Sequence, residues 1–243
     1  MGTLNLDDSN IQPSDDLVQR IAGNLAELQA QIDQALQTAG RQNDTVKLVA
    51  VSKTVGLTEI AAAILAGQMS FAENRTSLFK ERQAVFATMD WHFIGRIQTN
   101  KIKDFTGKAA LVHSVASEKA MATIARQAEQ LGVVQPVLIE VNTTGEQSKD
   151  GVTPQALPAL LATAASFSSL RVDGLMTMAP IADEPTVHRC FADLKLLQLN
   201  MQEEFVNQEN LPLSELSMGM SDDFVIAILE GATIIRLGRS VWR

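Results

Sequence analysis

The sequence predicts an α/β protein, a single-domain (β/α)8 TIM barrel with an extra N-terminal helix. Three observations lead to that fold class. The chain has 243 residues, close to the roughly 250 of a typical barrel of this kind. Short β-branched apolar runs alternate with helix-length segments, the pattern of βα units around a parallel sheet. The runs number eight and come in β-then-α order, which favours a closed barrel over an open doubly wound sheet.

Residues 1–13 open with an acidic stretch that has no apolar core, so they do not read as a signal peptide. Their start resembles a myristoylation site but carries Leu6 where Ser or Thr is required. They are expected to be a flexible N-terminus, with the folded domain spanning 14–243. The first helix is predicted over 14–38. Ser14 suits the N-cap, Asp15 and Asp16 suit the positive end of the helix dipole, and Gly40 follows the end. Leu17, Ile21, Leu25, Leu28 and Ile32 make its apolar stripe. The strands then read as KLVAVS (47–52), QMSFA (68–72), WHFI (91–94), ALVHSV (110–115), PVLIEV (136–141), RVDGLM (171–176), LSELSM (213–218) and TIIRL (233–237). Helical periodicity fills the intervals, as at 118–131 and 185–205.

Composition narrows the function. A formal net charge of -8 argues against nucleic acid and anionic membranes, both of which need a basic surface, yet leaves room for a local pocket that takes a small phosphate. The single cysteine, Cys190, excludes an intrachain disulfide and fits a reducing compartment. No apolar run has the length of a membrane span. A cytoplasmic protein is expected. The three histidines and one cysteine show no metal-ligand spacing, and no nucleophile-elbow, Walker or dinucleotide fingerprint is present.

A barrel of this type carries its site at the C-terminal ends of the strands. Lys53 follows the first strand there, and Glu73 and Asn74 follow the second. Val49, Val51 and Lys53 share one face by strand alternation. If the valines line the barrel, Lys53 points into its mouth, where a partly desolvated amine can form a Schiff base with a carbonyl. The same position equally suits a solvated lysine that opens a loop. The turns SMGMSDD (217–223) and RLGRS (236–240) come after strands seven and eight, where barrels often bind phosphate through backbone amides. Ordinary βα turns are the alternative. His92 and His113 fall inside strands and read as core or rim histidines rather than catalytic ones.

The segments LVAVSKT (48–54), FAEN (71–74), WHFIGRIQTNK (91–101), HSV (113–115), IEVNTTGEQSKDGV (139–152), GLMTMAP (174–180), LSMGMSDDF (216–224) and RLGRSVW (236–242) together resemble the pyridoxal phosphate homeostasis protein family, itself similar to the barrel domain of alanine racemase. The resemblance implies pyridoxal 5′-phosphate as cofactor, held as a Schiff base on Lys53. It implies that Ser217 and the amides near Gly238 and Arg239 hold the phosphate, that Arg236 faces the pyridine nitrogen, and that Asn74 and Met176 line the pocket. Two positions depart from the family pattern. Ala72 replaces a common glycine and is expected to tighten a turn, and Arg239 replaces a threonine common in some members. A guanidinium facing the ring nitrogen keeps it unprotonated and weakens the ring as an electron sink. The chain has no tyrosine, the second base of the resembled racemases. The expectation is a monomeric carrier and buffer in vitamin B6 homeostasis, with no catalytic residue, delivering cofactor to apoenzymes that use it. A weak amino-acid racemase or other Schiff-base enzyme is the alternative, and an unrelated barrel acting on a sugar phosphate is a second.

Overall fold

A computed structural model describes residues 11–146 and 150–243. Eight parallel strands close into a barrel in sequence order, with the last paired to the first. They are β1 (Lys47–Val51), β2 (Ser70–Glu73), β3 (Asp90–Phe93), β4 (Leu111–Val115), β5 (Gln135–Glu140), β6 (Leu170–Met176), β7 (Glu215–Ser217) and β8 (Ile234–Leu237). The helices are α1 (Asp15–Thr38), α2 (Leu57–Leu65), α3 (Thr76–Val85), α4 (Glu118–Leu131), α5 (Leu157–Ala165), α6 (Glu184–Glu204), α7 (Phe224–Leu229) and α8 (Arg239–Trp242). After β3 a 3-10 segment, Thr99–Asp104, stands in the helix position.

Strand alternation sorts the apolar residues into two cores. Val49, Val51, Ala72, Leu111, Leu138, Met176 and Ile234 fill the barrel interior. Ala50, Phe71, Trp91 and Phe93 face the other way and pack under the helices. Each large side chain so buried contributes about 1.5–3 kcal/mol, which makes a one-residue register slip prohibitive.

α1 begins as the sequence predicts, with Ser14 Oγ accepting from Leu17 N–H at 3.3 Å. It packs on α2, α7 and α8, so it covers the arc that the one-turn α8 leaves open. Asn24 Nδ2 donates to the Val241 and Arg243 carbonyls at 3.0 and 2.5 Å, tying α1 to the end of α8. The flexible segment expected over 1–13 lies mostly outside the described residues. Of its described part, Ile11 is buried in the outer core.

Candidate functional site

At the C-terminal end of the barrel, β1 runs out into the segment that carries Lys53. Val49 and Val51 do line the interior, the condition under which Lys53 faces the mouth. Lys53 itself is exposed, not partly desolvated as expected, because it stands beyond the last strand residue. The segment beneath it is clamped. Ser52 is fully buried and donates from its amide to the Ala72 carbonyl at 3.1 Å. Its hydroxyl donates to Glu73 Oε1 at 2.5 Å. Arg82, reaching in from α3, pairs with Glu73 and donates to the carbonyls of Ser52 at 2.7 Å and Val55 at 2.6 Å. Burial pushes the Glu73 carboxyl up, while the Ser52 bond and the Arg82 charge pull it back down. Sequence reasoning noted Glu73 only as a strand-end residue and missed Arg82.

Asn74 follows β2 and is exposed at the same rim. Gly95 packs so tightly against it that an added Cβ would sit 2.0 Å from the Asn74 carbonyl oxygen. Ala72 does not tighten a turn. It lies within β2, paired with Val51 and His92, and its methyl faces the filled barrel interior. Met176, the last residue of β6, is 2% exposed and belongs to that same interior packing, just below the rim.

Arg236 on β8 is paired in register with Val49 on β1. It is buried and donates from Nη1 to Ser217 Oγ at 2.6 Å and from Nη2 to the Thr177 carbonyl at 3.0 Å. Burial lowers it to about 10, against the pull of Asp223 and Glu140, so it stays a cation at neutral pH. Glu140, at the end of β5, was not anticipated from sequence. Burial, and then the neighbouring Asp150, push its carboxyl up to about 7, with Arg236 and Arg96 opposing.

The phosphate role expected of Ser217 competes with bonds already made inside the barrel. Ser217 is fully buried, and its hydroxyl is engaged by Arg236 and by His113 Nδ1 at 2.8 Å. A phosphate bond from Ser217 would require that hydroxyl to give up one of these partners. Ser221, four residues on, lies half-buried in the turn before α7. Gly219 makes that turn, with φ +94° and an absent Cβ that would fall 2.7 Å from the Ala227 methyl. Across from it, Gly238 precedes α8, its side-chain position opening toward Val51 at 3.7 to 3.8 Å. Arg239 is exposed and pairs with Asp222. Its side chain therefore joins the turns after β7 and β8.

Among the described residues no group of three His, Cys, Asp or Glu could hold a metal ion. None of the described helices is long and apolar enough to cross a membrane.

Residues 23–242 match the family described as alanine racemase, N-terminal domain. A pyridoxal phosphate homeostasis protein from Aquifex aeolicus is 39% identical over 217 residues, 88% of this chain and 93% of the relative. The structure of PipY from Synechococcus elongatus with pyridoxal phosphate bound superposes with a TM-score of 0.80 at 30% identity, over 92% of this chain and all of that one (100%). Alanine racemase from Clostridium difficile shares the fold alone: TM-score 0.72 at 14% identity, over 95% of this chain and 57% of the racemase. By sequence and fold together, the chain belongs to the alanine racemase N-terminal domain family and, within it, to the pyridoxal phosphate homeostasis proteins.

Proposed function

We propose that this chain binds pyridoxal 5′-phosphate at the C-terminal rim of its barrel, covalently through Lys53, and acts as a monomeric carrier and buffer of the cofactor within residues 14–243. One observation carries the reading. A primary amine two residues past β1 and a buried, charged guanidinium on the neighbouring strand β8 are joined by the pairing of those strands, with a glycine turn following β8. That donor set matches the three handles of the ligand: an aldehyde, a ring nitrogen and a phosphate. When bound, the cofactor supplies an aldehyde carbon and a conjugated ring.

The chain's own residues do the rest. Lys53 is the amine that would hold the aldehyde carbon covalently. The Ser52–Glu73–Arg82 clamp fixes the backbone from which Lys53 projects. Arg236, donor only, meets the ring nitrogen without giving it a proton. Ser221, with the amides of Gly238 and Arg239, takes the phosphate in place of Ser217. Asn74 borders the ring, and Met176 supplies the apolar floor. Delivery to apoenzymes would require Lys53 to give the group up, with water restoring the aldehyde and the free amine.

The enzymatic alternative draws support from Glu140, whose carboxyl, raised to about 7, is suited to accept a proton near neutrality. The chain has no tyrosine to supply a second base, and Arg236 works against the electron sink.

Absorbance with and without borohydride, followed by peptide mapping, tests the reading. The purified protein should be yellow, and reduction should fix the label on Lys53. A label on Lys47 or Lys101 would overturn the site, and a colourless protein that ignores added cofactor would overturn the function.

A further inference from the structure

Two histidines that the proposed chemistry does not use lie inside the barrel. His92 on β3 and His113 on β4 are 1% and 0% exposed. His92 Nδ1 lies 2.8 Å from His113 Nε2, His113 Nδ1 lies 2.8 Å from Ser217 Oγ, and Ser217 Oγ receives the 2.6 Å bond from Arg236 Nη1. The four side chains make one unbranched line from β3 to β8.

The line has a direction. A guanidinium only donates, so Ser217 Oγ accepts at that end. Of its two side-chain neighbours only His113 Nδ1 accepts, so the hydroxyl proton goes there. His113 then carries its proton on Nε2 and donates to His92 Nδ1. His92 carries its own proton on Nε2, an atom buried without a partner among the described residues. The reverse order strands two groups, the Ser217 proton and a bare His92 Nε2, instead of one. Each unmet buried polar group costs its full desolvation, so the first order prevails. Both rings are neutral. Burial lowers His92 to about 3 and His113 well below its usual value, and the charges that face them, Lys47 and Arg236, act in the same sense.

We propose that His92, His113 and Ser217 form a directional hydrogen-bond relay that holds Arg236 in one orientation, making the two histidines positioning residues for the cofactor's ring nitrogen. The link to the ring rests on the function proposed above; the direction of the relay does not. Pinning the Ser217 proton on His113 turns the hydroxyl's lone pairs to Arg236. Without the pin, the hydroxyl is free to rotate its proton toward the cation, and the guanidinium loses one of its two side anchors.

The test uses the full chain with 15N-labelled histidine, freed of cofactor. Ring-nitrogen shifts should show His92 and His113 bare at Nδ1 and protonated at Nε2, unchanged between about pH 5.5 and 8.5, the range in which an ordinary histidine titrates. A protonated Nδ1 on His113, or a charged ring on either, overturns the relay whether or not the chain binds cofactor. In the loaded protein, His113→Leu should weaken pyridoxal phosphate and phosphate-free pyridoxal alike, by about three- to ten-fold. His113→Gln, whose amide both accepts and donates, should restore both. A loss confined to the phosphorylated ligand, or no rescue by glutamine, overturns the positioning role. Should the leucine variant not fold, the wild-type ring-nitrogen shifts still decide the relay. Should the wild type bind no cofactor, the functional reading fails and the shifts alone judge the direction.

Discussion

Ser217 and Ser221 separate by what they touch. Ser217 is enclosed by Arg236 and His113, so Ser217→Ala should weaken pyridoxal and its phosphate equally. Ser221→Ala should remove a bond to a charged group, worth about 1.5–3 kcal/mol or roughly ten- to hundred-fold in affinity, and should spare pyridoxal. Titration of both ligands into each variant gives the answer. A selective loss in Ser217→Ala would reinstate the phosphate role expected from sequence. Arg82→Ala should be severe, about 3–5 kcal/mol of unfolding free energy, because it leaves Glu73 buried and unpaired. Urea unfolding at neutral pH measures this. Glu140 predicts a pH dependence. Its folded carboxyl is raised to about 7 from 4.5, so between those values the folded chain holds a proton that the unfolded chain has released. Stability therefore falls as pH rises through that window, by on the order of 3 kcal/mol. In Glu140→Gln the slope should flatten, as read by thermal melts at stepped pH. None of these roles was visible in one dimension. Arg82 lies nine residues from Glu73 and thirty from Ser52, so their meeting depends on α3 folding back on β1 and β2. His92 and His113 are likewise joined only by the pairing of β3 with β4.

Among the elements, those with a strong period were legible and those set by closure were not. Val49 and Val51 against Ala50 gave the alternation of β1, and the observed strands lie within a residue or two of the eight apolar runs. Ser14 with Asp15 and Asp16 marked the start of α1 to the residue. What α1 does was not legible, since its partners α7 and α8 lie some two hundred residues away. It stands in for a full-length last helix, fastened by Asn24 and by Arg20, which donates to the Trp242 carbonyl at 3.3 Å. Asn24→Ala removes the bonds to the Val241 and Arg243 carbonyls and should cost about 1–3 kcal/mol. Hydrogen exchange should then quicken first in α1 and α8 while the strands stay protected. Uniform acceleration across the barrel would mean that α1 is not a separable cover. The 3-10 segment after β3 escaped the alternating pattern because Lys101, Ile102 and Lys103 carry no helical stripe; only Ile102 is buried there.

For the molecule as a whole, carrier and enzyme differ in whether an amino acid's α-proton moves. The cation at Arg236 and the absence of tyrosine argue against efficient exchange, and incubation with L-alanine in deuterated water reads it directly. Deuterium should enter slowly if at all, with no racemisation. Turnover near the enzyme median of about 10 s⁻¹ would replace the carrier with a catalyst, and Glu140→Gln would then show whether that carboxylate is the base. The clamp under Lys53 extends the reading into dynamics. Arg82 ties the backbone of Ser52 and Val55 to α3, so if Lys53 holds the cofactor as proposed, the breathing of that helix and that hold share one free energy. Such a coupling works in both directions with equal size. Loading the chain should slow amide exchange in α3 around Phe79 to Arg82, although α3 need not touch the ligand. Conversely, a substitution that frays α3 should shorten the residence time of the cofactor, leaving its rate of capture nearly unchanged. Release to an acceptor would then be gated by a helix on the flank of the barrel, a place where a partner can push without entering the mouth.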